Sequence, residues 1–182
     1  DLAFCINTNI HPINDTEFEA MKENIRLIGR TVFNNSKMAR IYVLDQNGNI
    51  VKTNSNMDYA LTEQGLVDML VKVNNAEPTE GHLTKQLNGA ATGIPYRDGS
   101  YRAAFIFGSN WLDGGSDSAR SELVKNSVRV SICEPNMMPG CWYEETAKMT
   151  KGIQIFSYMD FYDEVIDFIK NNSRIFYYYS MG

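Results

Sequence analysis

The sequence predicts an α/β fold, with a mostly parallel sheet of six strands and helices on both faces. Two short segments, residues 2–6 and 101–107, are largely apolar and are bounded by polar loop formers, which is typical of strands buried on both faces. Segments with a helical spacing of apolar residues alternate with such strands, and the sequence has no internal repeat. Alternating strands and helices build a parallel sheet that is covered on each side.

The first strand, residues 2–6, leads through a polar loop into a long helix. Thr16 and Glu19 have the spacing of a capping box, which predicts Thr16 as the N-cap of this helix. Apolar residues then recur at intervals of three and four up to Val32, so the helix should end near Asn35.

A hairpin signal follows the second predicted strand, residues 39–44. The dipeptide Asn47-Gly48 favours a tight hairpin turn, so residues 50–53 should return antiparallel as a further strand. The later elements follow from the same patterns: helices over residues 62–73, 81–91, 118–126 and 143–149, strands over 101–107, 128–133 and 153–156, and a last helix capped by Asp160.

Length and pattern predict one domain over residues 1–170 and an aromatic tail over residues 171–182. The tail should pack along the domain or lead into a further one, and a partner-binding tail is the alternative. Because the chain begins directly in a strand, without a signal-peptide pattern, we expect a domain of a longer or processed protein.

Composition argues against several classes of function. The formal charge of −5 at pH 7 and the lack of a Lys/Arg cluster disfavour nucleic-acid binding. No apolar run reaches the ~18–20 residues that span a bilayer. The apolar content of 43% is ordinary for a globular domain.

Cysteines and sequons favour an extracellular or secreted setting. Turn formers between Cys133 and Cys141 could bring these two residues into a disulfide, and two unrelated thiols are the alternative. Three Asn-x-Ser/Thr sequons begin at Asn14, Asn34 and Asn171, all at predicted helix ends where glycans are tolerated.

Motifs of enzymes are missing from the sequence, which contains no phosphate-binding loop, no hydrolase elbow, no zinc-protease motif and no redox cysteine pair. We therefore expect neither an enzyme nor a cofactor. Cys5 with His11 could form a thiol nucleophile, but a cysteine inside a strand is more often a core residue. Asp113, Ser116 and Asp117 could chelate a cation, although such a segment is usually a solvated turn and helix cap.

Two tryptophans, Trp111 and Trp142, follow loop segments. Each could belong to the core or, if exposed, anchor a partner.

Several segments resemble a known fold through their order and spacing more than through any single match. They are residues 1–6, 18–22, 103–107, 121–125, 128–132, 144–147, 153–156 and 160–161. Together they resemble a von Willebrand factor A domain, also called the integrin I-domain. The resemblance covers about residues 1–170 and implies a Rossmann-like fold and a role in adhesion or assembly.

The same resemblance argues against the metal-ion-dependent adhesion site of that family. Family members bind a divalent ion through Asp-x-Ser-x-Ser after the first strand, a Thr on a second loop and an Asp after the fourth strand. The first loop here is Asn7-Thr8-Asn9-Ile10-His11, and the second position holds Gly81 or Ala90, depending on the alignment. Gly108 stands at the third position. Hard cations need charged or carbonyl oxygens in number, so no metal is expected.

We expect a non-enzymatic module of a larger extracellular protein that binds a protein partner through its apical loops without metal. The residues predicted to contact the partner are Asn7, Asn9, His11, Asn110, Trp111 and Asp113. One alternative is a purely structural domain in a matrix or lectin-type protein. Another is a small-ligand sensor, because residues 40–48 also resemble the strand and hairpin of Cache-type domains. A Cache-type domain would have a central antiparallel sheet.

Overall fold

A computed structural model describes residues 1–6, 14–75, 82–108, 115–134 and 137–173. Within these residues the chain forms one sheet of five strands, and every pair of neighbouring strands is parallel. The strands are β1 (Leu2–Ile6), β2 (Ile41–Leu44), β3 (Ala103–Phe107), β4 (Arg129–Cys133) and β5 (Gln154–Ile155), in the spatial order β2-β1-β3-β4-β5. The prediction that the first strand is internal and buried is confirmed, because β1 lies between β2 and β3.

The sixth predicted strand, residues 50–53, does not form in the described part of the chain. The turn itself is present, with the Asp45 N–H donating to the Asn49 carbonyl at 2.9 Å. Ile50 makes only an isolated antiparallel bridge to Leu44, and one further bond joins the Val51 N–H to Val43. The chain then turns away at Thr53, which accepts a bond from the Met57 N–H. The returning segment is therefore too short to count as a strand.

Helices cover both faces of the sheet, as the sequence predicts. Those in the described residues are α1 (Asp15–Asn35), α2 (Glu63–Val71), α3 (His82–Asn88), α4 (Asp117–Lys125), α5 (Trp142–Met149) and α6 (Tyr162–Asn172), and a π-helical turn (Gly89–Gly93) extends α3. The change from α-helix to the wider π-helix occurs at Asn88-Gly89, where glycine weakens the α-helix. Gly89 also allows the backbone of the turn at Gly48 to approach closely.

The side chains of β1 alternate between two hydrophobic cores. Leu2, Phe4 and Ile6 belong to the core formed with α1, α2 and α6, whereas Ala3 and Cys5 belong to the core on the opposite face. Phe4 stacks on Phe105 of the neighbouring strand with 5.1 Å between ring centroids. Burying one such ring stabilises the fold by about 1.5–3 kcal/mol. Because its side chains alternate between the two faces, the central strand β1 contributes to both cores.

Two predicted helix caps are wrong. Asn14, rather than Thr16, is the N-cap of α1, since its Oδ1 accepts from the Glu17 N–H at 2.8 Å. Asp160 does not cap α6, whose N-cap is Phe161 without a side-chain bond of its own. Asparagine caps helices at least as well as threonine does, and the earlier cap adds two residues, slightly more than half a turn, to α1.

The disulfide between Cys133 and Cys141 is not formed, because both cysteines are free. The Cys133 thiol is buried at the end of β4 and donates to the Ser157 carbonyl at 3.4 Å. The Cys141 sulfur instead caps α5, accepting from the Glu144 N–H at 3.5 Å. Each sulfur thus has its own local partner, which corresponds to the alternative of two separate thiols.

The boundary between the domain and its tail stays a prediction. Residues 171–173 close α6, and residues 174–182 lie outside the described part.

Candidate functional site

The carboxyl ends of β1 and β3 lie side by side, at the point where the strand order reverses direction. From β1 the chain passes to β2 on one side, and β3 is added on the other side. Ile6 and Phe107, the last residues of the two strands, are register partners. In open α/β sheets such a reversal separates the following loops and leaves a crevice between them, where ligands bind.

The six residues predicted to contact a partner follow these two strands in the sequence. Asn7, Asn9 and His11 come after β1, and Asn110, Trp111 and Asp113 come after β3. All six lie outside the described residues, so their contacts stay predictions.

Gly108 occupies the end of β3, where the resemblance places a carboxylate. Its N–H donates to the Cys133 carbonyl at 3.3 Å, and the residue is buried. Its φ of 150° lies in a region that residues with a side chain rarely adopt. An aspartate at this position would therefore need a different backbone.

The family has a metal-binding Thr on its second loop, and two residues of this chain are candidates for that position, depending on the alignment. Ala90 is fully buried in the π-helical turn, and its carbonyl accepts from the Tyr96 hydroxyl at 2.8 Å. Gly81 lies outside the described residues. In the part of the chain that is described, no three His, Cys, Asp or Glu residues are grouped as a metal site.

A small cleft of about 200 Å³ adjoins the carboxyl ends of β1 and β2. Asp45 on its wall is already engaged, because its Oδ1 accepts from the N–H groups of Asn47 and Asn49 at 2.9 and 3.1 Å. The Gln46 Oε1 is buried and has no hydrogen-bond partner among the described residues. The lining residues are Ile6, Phe18, Asp45, Gln46, Asn47, Lys72, Val73 and Asn74. The cleft is thus lined by both polar and apolar side chains.

Trp142 is held by polar and packing contacts on the other side of the reversal point. Its indole N–H donates to Asp117 at 2.9 Å, and the Arg120 guanidinium lies 4.6 Å from the ring centroid. Gly115 packs against the ring so closely that a Cβ there would lie 2.5 Å from it. The residue is half-buried, between the two expectations of a core residue and an exposed anchor. Trp111 lies outside the described residues.

Ser116 and Asp117 were expected either to chelate a cation or to cap a helix. In the structure they cap α4 and bond neighbouring side chains. Ser116 is the N-cap of α4, and its hydroxyl accepts from the Ala119 N–H at 3.2 Å. Asp117 bonds Trp142 and also pairs with Arg120 at 3.3 Å. Asp113, the third member of that group, lies outside the described residues.

Glu134 is a buried carboxylate at this edge that the sequence reasoning missed. It directly follows β4 and is only 5% exposed. The Tyr158 hydroxyl donates to its Oε2 at 3.2 Å. A charged residue placed directly after a buried strand is the signal that could have identified it.

Cys5 belongs to the core rather than to a catalytic site. It is completely buried in β1, and burial raises the pKa of its thiol to about 12. Burial also raises the pKa of the Cys133 thiol above its ordinary range. Neither sulfur forms a thiolate near neutral pH, as a nucleophile requires. His11 lies outside the described residues.

Comparisons with known proteins find the fold but no family. No family model matches the chain, and no curated protein matches it. The chain is similar to the conserved hypothetical protein BatB from Bacteroides thetaiotaomicron, with 12% identity, a TM-score of 0.65, and coverage of 93% of this chain and 97% of BatB. It is also similar to an aerotolerance-related membrane protein from Bacteroides fragilis, with 14% identity, a TM-score of 0.62, and coverage of 94% and 96%. Both likenesses fit a von Willebrand factor A-like fold.

The α-helices of the described residues range from 7 to 21 residues in length. None of them is both long enough and apolar enough to span a membrane.

Proposed function

We propose that the chain is a non-enzymatic interaction module of a larger, extracellular protein, and that it binds a protein partner through the loops after β1 and β3. The observation that carries the proposal is the strand order. It places the ends of these two strands together at the reversal point, with Ile6 opposite Phe107. Two polar loops leaving adjacent strands can present one continuous surface to a partner.

The proposal includes binding without a divalent metal. The two positions that would carry carboxylates in the family hold Asn7 and Gly108, and neither residue supplies charge. Affinity for hard cations depends on the number of charged ligands, so neutral positions weaken such a site severely. The backbone of Gly108 also disfavours the return of an aspartate.

The neighbouring side chains suit a protein partner. The cleft next to Gln46 has both polar and apolar lining residues, and Trp142 offers a partly exposed aromatic ring that Asp117 and Arg120 hold in place. Interfaces obtain much of their affinity from such ordered aromatic groups, because little side-chain entropy is lost on binding.

The strand directions support an interaction module over the Cache-type sensor. That alternative requires a central antiparallel sheet, whereas the five described strands are parallel. A purely structural role differs from the proposal in one respect, since it requires no contact at the apical loops.

Partner binding tests the proposal. The partner is first identified by cross-linking the secreted chain to extracellular proteins of its source, and its Kd is then measured. One variant replaces Asn7, Asn9 and His11 by alanine, and a second replaces Asn110, Trp111 and Asp113. A control variant replaces Lys37 and Asp98, which are exposed at the opposite edge of the sheet.

We expect at least one apical variant to weaken binding by about tenfold or more, which corresponds to about 1.4 kcal/mol. The control variant should bind like the unmodified chain. Equal affinities for the chain and both apical variants would contradict the proposal and favour the structural role.

A further inference from the structure

The tripeptide Asn-Asn-Ser occurs twice, and it has the same structure at both places. Residues 34–36 close α1, and residues 171–173 close α6. In each case the serine is the C-cap, has an extended backbone, and donates its N–H to the carbonyl four residues earlier, Val32 or Ile169. The two tripeptides are therefore matched helix ends.

Within each tripeptide the two asparagines behave differently. The second one turns back onto its helix, with the Asn35 Nδ2 donating to Thr31 at 2.7 Å and the Asn172 Nδ2 donating to Phe168 at 2.8 Å. The first one, Asn34 or Asn171, is exposed; of the second ones, Asn35 is half-buried and Asn172 is also exposed. Asn34 and Asn171 are also the acceptor positions of the two sequons.

Both helix ends lie at the amino edge of the sheet, opposite the proposed partner site. Ser36 lines a cleft together with Leu2 and Tyr101, near the starts of β1 and β3. The direction of α6 follows from its contacts with β3. Its N-cap, Phe161, packs on Phe107 at the carboxyl end of β3 with ring centroids 4.7 Å apart.

Seven residues further along the helix, Phe168 meets Phe105, which lies nearer the start of β3, at 6.2 Å. α6 therefore runs from the carboxyl edge toward the amino edge, as α1 does. Asn171 lies almost one turn beyond Phe168.

We propose that Asn34 and Asn171 carry N-linked glycans, which makes the amino edge a glycan-covered end that points away from the partner. The donor is an oligosaccharide linked to a lipid diphosphate. The asparagine Nδ2 forms a bond to the anomeric carbon as the bond from that carbon to the diphosphate oxygen breaks. The lipid diphosphate leaves with the electron pair, and the amide proton passes to a base of the transferase.

The third sequon has a different setting. Asn14 uses its Oδ1 to cap α1 and stands three residues after His11, which is proposed to contact the partner. Its glycosylation stays a prediction from the sequence, and the proposal concerns the two matched helix ends.

Site mapping on the secreted chain tests the inference, which rests on the extracellular setting of the proposed function. The chain is expressed with a secretion signal in a eukaryotic host, and treated with peptide N-glycosidase in heavy-oxygen water. This enzyme converts each glycosylated asparagine to a labelled aspartate. We expect labelled aspartate at positions 34 and 171.

Four variants provide a matched comparison. Asn34→Gln and Asn171→Gln should each lose the mass of one glycan. Asn35→Gln and Asn172→Gln leave both sequons intact and should keep the full mass. Because the mapping uses the chain without substitutions, it decides whether the two asparagines carry glycans even where a variant is not secreted.

The inference would be overturned if the secreted chain unfolds cooperatively, and so is folded, but carries no glycan at Asn34 or Asn171. That result leaves the proposed function untouched, because partner affinity is measured with variants at other residues. Conversely, glycans at both positions together with unchanged binding by the apical variants would remove the proposed function and keep the glycan sites.

Discussion

At the scale of single residues, Gly152 shows how closely two backbones approach. It follows α5, and its N–H donates to the Ala147 carbonyl at 2.8 Å after Lys151 has adopted a φ of 61°. The chain thus leaves the helix through a left-handed residue and passes directly over β4. A Cβ on Gly152 would overlap the carbonyl oxygen of Val130.

We expect Gly152→Ala to lower the free energy of unfolding by about 3 kcal/mol, because the backbone of β4 cannot move aside without straining the sheet. Gly93→Ala is the matched control, since nothing lies within 4 Å of the added Cβ. It should change the free energy by less than about 1 kcal/mol. Urea unfolding followed by circular dichroism measures both. Equal stabilities of the two variants would contradict the close contact.

At the scale of elements, the side chain of Asn24 in α1 organises the start of α6. Its Oδ1 accepts from the N–H groups of Phe161 and Tyr162 at 3.1 and 3.0 Å. Its Nδ2 donates to the carbonyls of Met159 and Ala20 at 2.8 and 2.9 Å. One residue therefore supplies the cap that α6 lacks in its own sequence.

Replacing Asn24 by alanine should cost about 2 kcal/mol of stability, since two helix-start N–H groups lose their acceptor. Asn172→Ala is the comparison, because it removes only one bond, to Phe168, at an exposed helix end. It should cost less than about 1 kcal/mol. Thermal and urea unfolding of the two variants provide the measurement, and a smaller loss for Asn24→Ala than for Asn172→Ala would refute the role of Asn24.

The elements show which features a sequence pattern can predict. The strand Leu2–Ile6 and the helix after it were predicted because continuous or periodic apolar residues are local signals. The strand over residues 50–53 was overpredicted, since a turn signal at Asn47-Gly48 does not say how far the returning chain stays paired. The cap from Asn24 was missed because the two partners are 137 residues apart.

The candidate site also has features that the sequence could predict and features that it could not. Its location was predictable, because loops that follow adjacent parallel strands meet at one edge of the sheet. Glu134 carried a local signal, its position directly after a buried strand, but its bond to Tyr158 did not. That bond and the support of Trp142 by Asp117 and Arg120 depend on long-range packing, which no local pattern indicates.

At the scale of the whole molecule, stability should be indifferent to divalent cations. A ligand that binds only the folded chain raises the free energy of unfolding by about 2.7 kcal/mol at a concentration 100 times its Kd. With neutral Asn7 and Gly108 at the two carboxylate positions, we expect no change in Tm when magnesium, calcium or manganese is added at millimolar concentration or removed by a chelator. Differential scanning fluorimetry makes the measurement. A saturable rise in Tm that Asn7→Ala or Asn9→Ala abolishes would contradict this expectation.

The pairing of β1 with β3 also determines when the domain can form during synthesis. Leu2 is the register partner of Ala103, so β1 cannot pair with β3 until roughly 100 further residues have been synthesised. At about 5–20 residues per second, that interval is on the order of ten seconds. Throughout it, a strand of Leu, Ala, Phe, Cys and Ile has at least one unpaired edge, which is a ready template for association with other chains. Protection of this first strand on the nascent chain is therefore a condition for productive folding.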